Sequence, residues 1–169
     1  MLIAPIVHFA QIEPDEADRA LVAWGHKMGP CSRPMGTLRA HGMFAHGKLC
    51  ALTVTADLVR ETCAGLRRDE AIELARLCAE RRDLCRPMLR LWRDFIFPAF
   101  GTPWAVSYQD EQLHTGDVYR FDGWVQLQTG ARSGPDRRSN RKVRVKTIWG
   151  WHPDADVRRA VRNATTTGV

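Results

Sequence analysis

Two apolar runs on either side of the tetrapeptide AHGK constrain the fold of this chain more than any other feature. Residues 38–44 and 49–55 are rich in apolar side chains, and the second run includes the β-branched Thr53, Val54 and Thr55. Two such runs joined by a short turn with a glycine predict a β-hairpin. The chain is therefore expected to contain an antiparallel pair of strands.

Helical patterns alternate with further strand patterns along the chain. Residues 14–28 have apolar side chains at helical spacing, and residues 83–97 carry an amphipathic stripe that ends before Pro98. The other predicted elements are a strand in residues 1–10, a short helix at 57–65, strands at 102–108, 124–128 and 143–149, a short helix at 113–120 and a polar loop at 132–142. This mixture predicts a single α/β (α+β) domain over residues 1–152, followed by a polar tail at 153–169 that ends in disorder.

Residues 70–80, EAIELARLCAE, carry two competing patterns. Ala71, Leu74, Ala75 and Cys78 form a helical stripe, whereas the alternation expected of a strand is only loose. Periodicity alone favours a helix.

Charge and cysteine content narrow the classes of function. The 25 Lys and Arg against 19 Asp and Glu give a net charge of +6, which favours anionic partners but is also common in proteins that bind none. The five cysteines include no CxxC pair, which argues against disulfides or a zinc knuckle and for a reducing cytoplasm. No stretch approaches the roughly 20 apolar residues of a membrane span, so we expect no membrane partner. The oligomeric state stays open, a homodimer included.

The net positive charge of the chain is matched by one segment, residues 131–146. It holds seven basic residues and one acid, a surplus equal to the net charge of the whole chain. Clustered arginines with serine and asparagine are typical of phosphodiester contacts, and a solvated loop is the alternative. The DNA-binding candidates are Arg132, Arg137, Arg138, Arg141, Lys142, Arg144 and Lys146.

A second candidate site is the predicted helix start near residues 81–86. The free N–H groups and positive dipole end of a helix suit a phosphate, and Arg81, Arg82 and Arg86 lie around this one. Asp83 would repel an anion and is itself a capping residue type. Because the chain has neither GxGxxG nor GxxxxGK[ST], a solvated helix end is the alternative interpretation.

The stretch SYQDEQLHTGDVYRFDGWV, residues 107–125, has a dense set of hydroxyl and titratable groups. Tyr119 follows the strand that ends at Tyr108 and could protonate a leaving thiolate, with Asp110 or His114 as the base. The histidines of the chain form no metal-binding pair, and no GxSxG elbow is present. The ordinary polar surface of a loop and a helix is the alternative.

The same stretch resembles the last third of the GNAT acyltransferase fold, in which a strand is followed by a short helix ending in Tyr and an aromatic residue after Gly. More narrowly, it looks like a segment of the phage Mu Mom family of DNA-modification proteins: Ser-Tyr, an acid, a His-containing turn with Gly, a Tyr and Gly-Trp. Residues 73–80, ELARLCAE, resemble that family's Glu-Leu-x-Arg-Leu strand, and residues 24–54 its His-containing loop and hairpin. The likeness covers roughly residues 20–128.

This resemblance implies a GNAT-like domain with a mixed central sheet flanked by helices, in which residues 70–80 are a strand despite their helical periodicity. It also implies acetyl-CoA as the cofactor, with its pyrophosphate at the helix start. The implied cofactor contacts are the backbone at Leu77, Cys78 and Ala79 and the residues Arg81, Arg82, Cys85 and Arg86.

The implied activity is the addition of a carbamoylmethyl (acetamido) group to the N6 amine of adenine in phage DNA, which protects that DNA from host restriction. Reaching this amine in a duplex requires a flipped base or a single strand. The resemblance makes Tyr119 the acid, Glu73 and Asp110 candidate bases, and Ser107 a group that positions a thiolate or water. A bound iron is conceivable, with ligand candidates His26, Tyr108, Asp110 and Tyr119.

Two other functions stay open. One is an ordinary GNAT N-acetyltransferase that acts on a protein or a small-molecule amine. The other is a catalytically inactive GNAT-like domain that only binds nucleic acid. The basic segment favours a nucleic-acid substrate over a small amine, because an enzyme for small molecules does not need it.

Overall fold

The structure, a computed structural model, describes residues 7–31, 38–133 and 143–167. The chain divides into one unit of Met1–Asp57 with Leu74–Phe100 and another of Leu58–Glu73 with Gly101–Val169. Within the described residues, no helix is both long enough and apolar enough to cross a membrane.

Strands and helices alternate along the chain, as the predicted α/β class requires. The elements are β1 (Val7–Ile12), α1 (Pro14–Ala23), β2 (Arg39–Ala45), β3 (Lys48–Asp57), β4 (Thr62–Cys63), β5 (Leu66–Arg67), β6 (Ala71–Ala79), α2 (Cys85–Leu91), β7 (Trp104–Asp110), α3 (Asp117–Arg120), β8 (Val125–Ser133), β9 (Arg144–Trp151) and α4 (Ala155–Thr167).

The hairpin predicted around AHGK is confirmed as β2 and β3. Its two-residue loop consists of His46 and Gly47, with φ angles of 50° and 73°. Positive φ at both loop residues is the type I′ geometry, whose twist matches that of the flanking strands. In the first unit the strand order is β1-β2-β3-β6, with β2 antiparallel to both β1 and β3.

The two helices of the first unit pack against opposite faces of β3, each through its own apolar cluster. Leu21 of α1 lies in a cluster with Leu52, and Met88 of α2 lies in another with Ala51. Successive strand residues point to opposite faces, so Ala51 and Leu52 send these contacts to the two sides of β3. The first unit is therefore a sheet covered on both faces.

The helical segment that begins with α2 extends past the predicted end at Pro98. A π-helical turn, Trp92–Ile96, follows α2, and a 3₁₀ turn, Phe97–Phe100, includes the proline. Trp92 is fully buried, and its indole N–H donates a hydrogen bond to the Thr55 hydroxyl at 2.7 Å. Because Pro98 lies in the first turn of the 3₁₀ segment, its missing N–H removes no α-helical hydrogen bond.

The second unit contains the parallel strand pair. The first residues of β6 pair with β7 in parallel, with Glu73 opposite Val106, while β9 is antiparallel to β7 and β8. The order there is β6-β7-β9-β8, so the sheet is mixed, as predicted. Residues 70–80 are a strand, as the resemblance implied and against their periodicity. Ala71 to Leu74 are all buried, which is typical of a strand covered on both faces.

The short helix predicted at residues 57–65 is wrong. β3 continues to Asp57, and β4 and β5 form a small hairpin instead. Its loop residues, Ala64 and Gly65, have φ angles of 48° and 84°, so Gly65 belongs to a hairpin turn rather than to a helix end. This hairpin places Cys63 in the apolar cluster of the second unit.

The expectation of disorder at residues 163–169 is wrong over residues 163–167, which belong to the helix α4 (Ala155–Thr167); residues 168 and 169 lie outside the described part of the chain. The Arg158 guanidinium lies 5.2 Å from the centroid of the Trp151 ring and donates to the carbonyl of Pro153. These contacts fix the first turn of the helix against the end of β9.

A buried histidine lies on β2. His41 is 8% exposed, stacks on Phe9 with ring centroids 5.8 Å apart, and its Nδ1 has no hydrogen-bond partner among the described residues. Burial lowers the pKa of His41 below its ordinary value of 6.5, and the charge of Arg39 lowers it further. The folded protein therefore keeps this imidazole neutral at a pH where an unfolded chain protonates it.

We expect this histidine to make folding less stable in acid. Since the folded pKa is the lower one, the unfolded state binds more protons below about pH 6.5, and stability falls by up to about 1.4 kcal/mol per pH unit from this group. Urea unfolding at about pH 8 and about pH 5 should show a smaller difference for His41→Gln than for the parent chain. His46→Asn, at an exposed loop position, is the control and should leave the difference unchanged. An equal difference in His41→Gln would contradict the assignment.

Candidate active site

Tyr119 is buried on α3 in the second unit. It is 9% exposed, and its hydroxyl lies 2.8 Å from the Ser107 hydroxyl of β7. The Trp124 ring meets the Tyr119 ring edge-on at 5.2 Å, and the Trp149 ring stacks on it at 5.8 Å. Two indoles and a hydroxyl thus hold the phenol in one orientation, and the sequence prediction of Ser107 and Tyr119 as neighbours in one site has a geometric basis.

The turn that precedes α3 is fixed by Gln109 and Gly116. The Gln109 amide donates to the carbonyl of His114 at 2.6 Å and accepts from the Trp149 indole at 2.7 Å. Gly116 has a φ of 78°, and a Cβ there would lie 2.8 Å from a Trp149 ring carbon. Sequence analysis missed both Gln109 and Trp149 as site residues, although Gln109 shares the strand face of Ser107 by simple alternation.

A second group of polar residues lies on the other face of β7. Glu73 is 4% exposed, and the Cys63 thiol lies 3.0 Å from the Tyr108 hydroxyl, which either atom can donate. Burial raises the pKa of the Cys63 thiol, the hydrogen bond with Tyr108 lowers it, and the Glu73 charge raises it. The Lys146 ammonium lies 5.2 Å from the centroid of the Tyr108 ring.

Strand alternation separates these two groups. Ser107 and Tyr108 are consecutive in β7, so their side chains point to opposite faces. Tyr119 therefore lies on the Ser107 face, while Cys63 lies on the Tyr108 face. The predicted catalytic residues of this unit form two sets with the strand between them.

Asp110 and His114 have contacts that stabilise a turn. The Asp110 carboxylate accepts from the backbone N–H of Gln112 at 3.1 Å, and its carbonyl accepts from the N–H groups of Leu113 and His114. His114 is exposed at the end of this turn. These contacts give Asp110 a structural role in the folded chain, and its role as a base stays a prediction.

Two of the residues considered for iron, Tyr108 and Tyr119, lie apart from each other. Among the described residues, no three His, Cys, Asp or Glu side chains are grouped closely enough to hold a metal ion. Tyr108 and Tyr119 lie on opposite faces of β7, and their hydroxyls contact Cys63 and Ser107. His26 belongs to the first unit, at the turn after α1, where its N–H donates to the Leu21 carbonyl. The two tyrosines therefore do not fit a single iron centre.

The predicted cofactor contacts lie in the first unit, at the end of β6 and the start of α2. Leu77, Cys78 and Ala79 are strand residues; Cys78 is buried, and burial raises the pKa of its thiol to about 11. The helical segment starts at Arg82, with a 3₁₀ turn before Cys85.

The charged side chains at this helix start are exposed. Arg81 forms an ion pair with Asp83 at 2.6 Å, so Asp83 pairs with an arginine instead of capping the helix as expected. Arg82 and Arg86 are also exposed, and Cys85 is half-buried. Solvent-exposed guanidinium groups at a helix start are available to a phosphate.

Part of the basic segment is visible on β8 and β9. Arg132 of β8 lies opposite Val145 of β9. On β9, Arg144 and Lys146 lie on either side of Val145 in the sequence and share one face, as predicted for a strand. Arg132 is exposed, and the other two are half-buried. The remaining DNA-binding candidates, Arg137, Arg138, Arg141 and Lys142, lie outside the described residues.

Several solved structures with a similar fold are described as acetyltransferases. The fold is similar to that of a Chromobacterium violaceum protein described as a GNAT-family acetyltransferase, with a TM-score of 0.63 and 12% identity over 86% of this chain and 87% of that one. It is similar to the ribosomal-protein-S18-alanine N-acetyltransferase of Escherichia coli, with 0.60 and 13% over 87% and 94%. A Salmonella typhimurium protein described as an acetyltransferase and solved with its cofactor acetyl-CoA gives 0.62 and 11% over 89% and 95%.

No family model matches the sequence, and the search of curated proteins found no match either. At 11–13% identity the structural likeness shows the fold alone. This chain therefore has a GNAT acetyltransferase fold, as the resemblance implied.

Proposed function

We propose that this chain is an acetyl-CoA-dependent acyltransferase of the GNAT type. The observation that carries the proposal is the buried pair of Tyr119 and Ser107, whose oxygens lie 2.8 Å apart beside β7. A phenol held in one orientation is suited to protonate a leaving thiolate. The fold supports the proposal, since the similar Salmonella typhimurium protein was solved with acetyl-CoA.

The two faces of β7 have separate parts in the proposed reaction. Acetyl-CoA supplies the acyl group as a thioester, and the departing sulfur needs a proton. Tyr119 gives that proton from its face, while the Ser107 hydroxyl keeps the phenol in place. On the opposite face, the buried carboxylate of Glu73 accepts the proton that the attacking amine loses.

The acetyl-CoA pyrophosphate is proposed to bind at the start of the helical segment of the first unit. Exposed N–H groups and the positive end of the helix attract phosphate there. Arg81, Arg82 and Arg86 add charge, and the backbone of residues 77–79 with Cys85 completes the proposed contacts. Replacing any two of these three arginines by alanine should raise the dissociation constant for acetyl-CoA. It should leave the hydrogen bond between Tyr119 and Ser107 unchanged.

For the acceptor, we favour the N6 amine of adenine in DNA, modified in the manner of the Mom family. The support is the basic segment, of which Arg132, Arg144 and Lys146 lie on β8 and β9. Phosphate contacts of this kind supply the sequence-independent part of DNA affinity. The carbamoylmethyl product differs from a simple amide, so this finer assignment requires chemistry after or beside acyl transfer.

The second candidate is an ordinary N-acetyltransferase for a protein or small-molecule amine. It is favoured by the similarity in fold to the Escherichia coli enzyme that acetylates an alanine of ribosomal protein S18. Both candidates use the same acid, base and cofactor for acyl transfer. They differ in the acceptor and in the further chemistry that a carbamoylmethyl product requires.

Mass spectrometry of nucleosides tests the favoured acceptor. DNA from cells that express the chain should contain an adenosine that carries a carbamoylmethyl group, and cells that express Tyr119→Phe should lack it. In parallel, purified chain should release CoA thiol from acetyl-CoA when an A·T-rich duplex is added. Replacing Arg137, Arg138 and Arg141 by alanine should lower duplex affinity and reduce its salt slope by roughly three.

Each outcome separates the candidates. Unmodified adenine together with acetylated peptide or spermidine selects the ordinary acetyltransferase. Duplex binding whose affinity and salt slope survive loss of the three arginines counts against these arginines as the DNA contact, whereas the nucleoside analysis decides whether DNA is the substrate. An absence of CoA release with any of these acceptors overturns the acyltransferase proposal itself.

A further inference from the structure

The pair formed by Cys63 and Tyr108 has no part in the reaction described so far. Cys63 is buried at 6% exposure in the β4–β5 hairpin, whereas Tyr108 is 37% exposed. Their thiol and hydroxyl lie 3.0 Å apart. The hydroxyl of a partly exposed tyrosine is thus hydrogen-bonded to a buried thiol.

This pair lies on the same strand face as the proposed base. Glu73 is the register partner of Val106, and Val106 and Tyr108 are two residues apart on β7, so all three side chains share one face. Cys63 packs in one cluster with Val106 and feels the charge of Glu73. The Tyr108 hydroxyl is therefore a polar group on the side where the proposed reaction brings in the amine.

The ring of Tyr108 is held at a second point. The Lys146 ammonium lies 5.2 Å from the ring centroid, a cation–π distance. With Cys63 at the hydroxyl and Lys146 over the ring, both ends of the side chain are restrained. Restraint of an exposed side chain in advance lowers the entropy that ligand binding costs.

Hydrogen-bond directions restrict what this phenol can do. If Cys63 donates to Tyr108, the phenol proton points away and suits an acceptor atom of a ligand. If Tyr108 donates to Cys63, the phenol oxygen has a lone pair left for an N–H donor. A neutral amine about to attack keeps its own lone pair for the new bond and offers only N–H groups. The second arrangement is the one that an amine substrate requires.

We propose that Tyr108 binds the acceptor amine through its phenol oxygen, and that Cys63 is the positioning residue that accepts the phenol proton and so turns this oxygen toward the amine. The proposal rests on the acyltransferase function proposed above. The bound group is a neutral primary amine. One of its N–H groups donates a hydrogen bond to the Tyr108 oxygen and stays on the nitrogen, while Glu73 removes the other proton as the new C–N bond forms. The C–S bond of the thioester breaks, and Tyr119 protonates the leaving thiolate. No covalent step involves Cys63.

Steady-state kinetics of four variants test this assignment. The acceptor is whichever of an A·T-rich duplex, a lysine-containing peptide or spermidine the parent chain modifies. Tyr108→Phe and Cys63→Ala should each raise the acceptor KM about tenfold, the effect of one lost hydrogen bond, and leave the acetyl-CoA KM unchanged. The double variant should be no worse than Tyr108→Phe alone, and Cys63→Ser, which still accepts the proton, should restore most of the affinity.

Leu66→Ala is the matched control for packing. Leu66 is the register partner of Cys63 and packs against the same apolar cluster, and its side chain has no polar group that could replace the thiol. It should lower the melting temperature yet change the acceptor KM by less than about twofold. Three results would overturn this inference while leaving the proposed function intact. They are an unchanged acceptor KM in Tyr108→Phe, additive effects on the acceptor KM in the double variant, and a rise of the acceptor KM in Leu66→Ala as large as in Cys63→Ala. Failure of the parent chain to release CoA with all three acceptors would instead overturn the proposed function, and this inference with it.

Discussion

Replacing Tyr119 by phenylalanine should lower kcat for acyl transfer by about a hundredfold or more. The substitution removes only the hydroxyl that lies 2.8 Å from Ser107 and leaves the aromatic contacts with Trp124 and Trp149 in place. Without the phenol proton, the sulfur has to leave as an unprotonated thiolate. The C–S bond then breaks more slowly because no acid neutralises the developing charge. The measurement is the rate of CoA release at saturating acetyl-CoA and acceptor, with acetyl-CoA binding followed separately by calorimetry.

The matched control is Tyr108→Phe, the same chemical change on the opposite face of β7. It should keep kcat and affect the acceptor KM, whereas Tyr119→Phe should keep both KM values and lose kcat. Equal kcat in Tyr119→Phe and the parent chain would show that Tyr119 is not the acid. A loss of acetyl-CoA affinity together with kcat would instead mean that the hydroxyl supports the binding site.

Much of the strand framework was predictable because its signals are local. The β2–β3 hairpin depends on two neighbouring apolar runs and a turn whose glycine tolerates positive φ, and all of that is visible within twenty residues. β6 was not predictable in this way, because its alanines and leucines also fit a helical stripe. Burial on both faces makes this segment a strand instead of a helix, and that burial depends on strands distant in sequence.

The errors have physical causes of the same kind. Gly65 is as compatible with a helix end as with a hairpin loop, and the choice depends on whether its neighbours find a strand partner. α4 has a polar sequence, and its start is held by Arg158 on Trp151, a contact between elements that no local pattern contains. Local propensity was therefore a weak guide wherever a tertiary contact decided the outcome.

The candidate site was predictable in part. The order of strand, turn and short helix led to Ser107 and Tyr119, which the structure brings within hydrogen-bond distance. The contact between Cys63 and Tyr108 joins residues 45 positions apart through a hairpin that was predicted as a helix, so it could not have been anticipated. Gln109 was visible in the sequence, yet its importance comes from Trp149, which lies 40 residues further along.

Gly116 connects stability to the position of Tyr119, and Gly116→Ala should destabilise the protein by about 3 kcal/mol. Its φ of 78° is unfavourable for a residue with a side chain, and a Cβ would collide with Gln109 and lie 2.8 Å from Trp149. Both of these residues hold the turn and the ring stack around Tyr119. We therefore expect a lower unfolding midpoint in urea and, in the folded fraction, a kcat reduced by about tenfold or more because the phenol is displaced.

The variant Gly123→Ala separates the backbone strain of a positive φ from the collision of an added Cβ with its neighbours. Gly123 follows the same helix with a φ of 83°, but a Cβ there meets no atom within 4 Å, so only the backbone strain is added. This variant should lose about 1–2 kcal/mol of stability and keep its kcat. The difference between the two variants measures the collision with Gln109 and Trp149. If both variants lose stability equally and neither loses kcat, the tight turn before α3 does not position Tyr119.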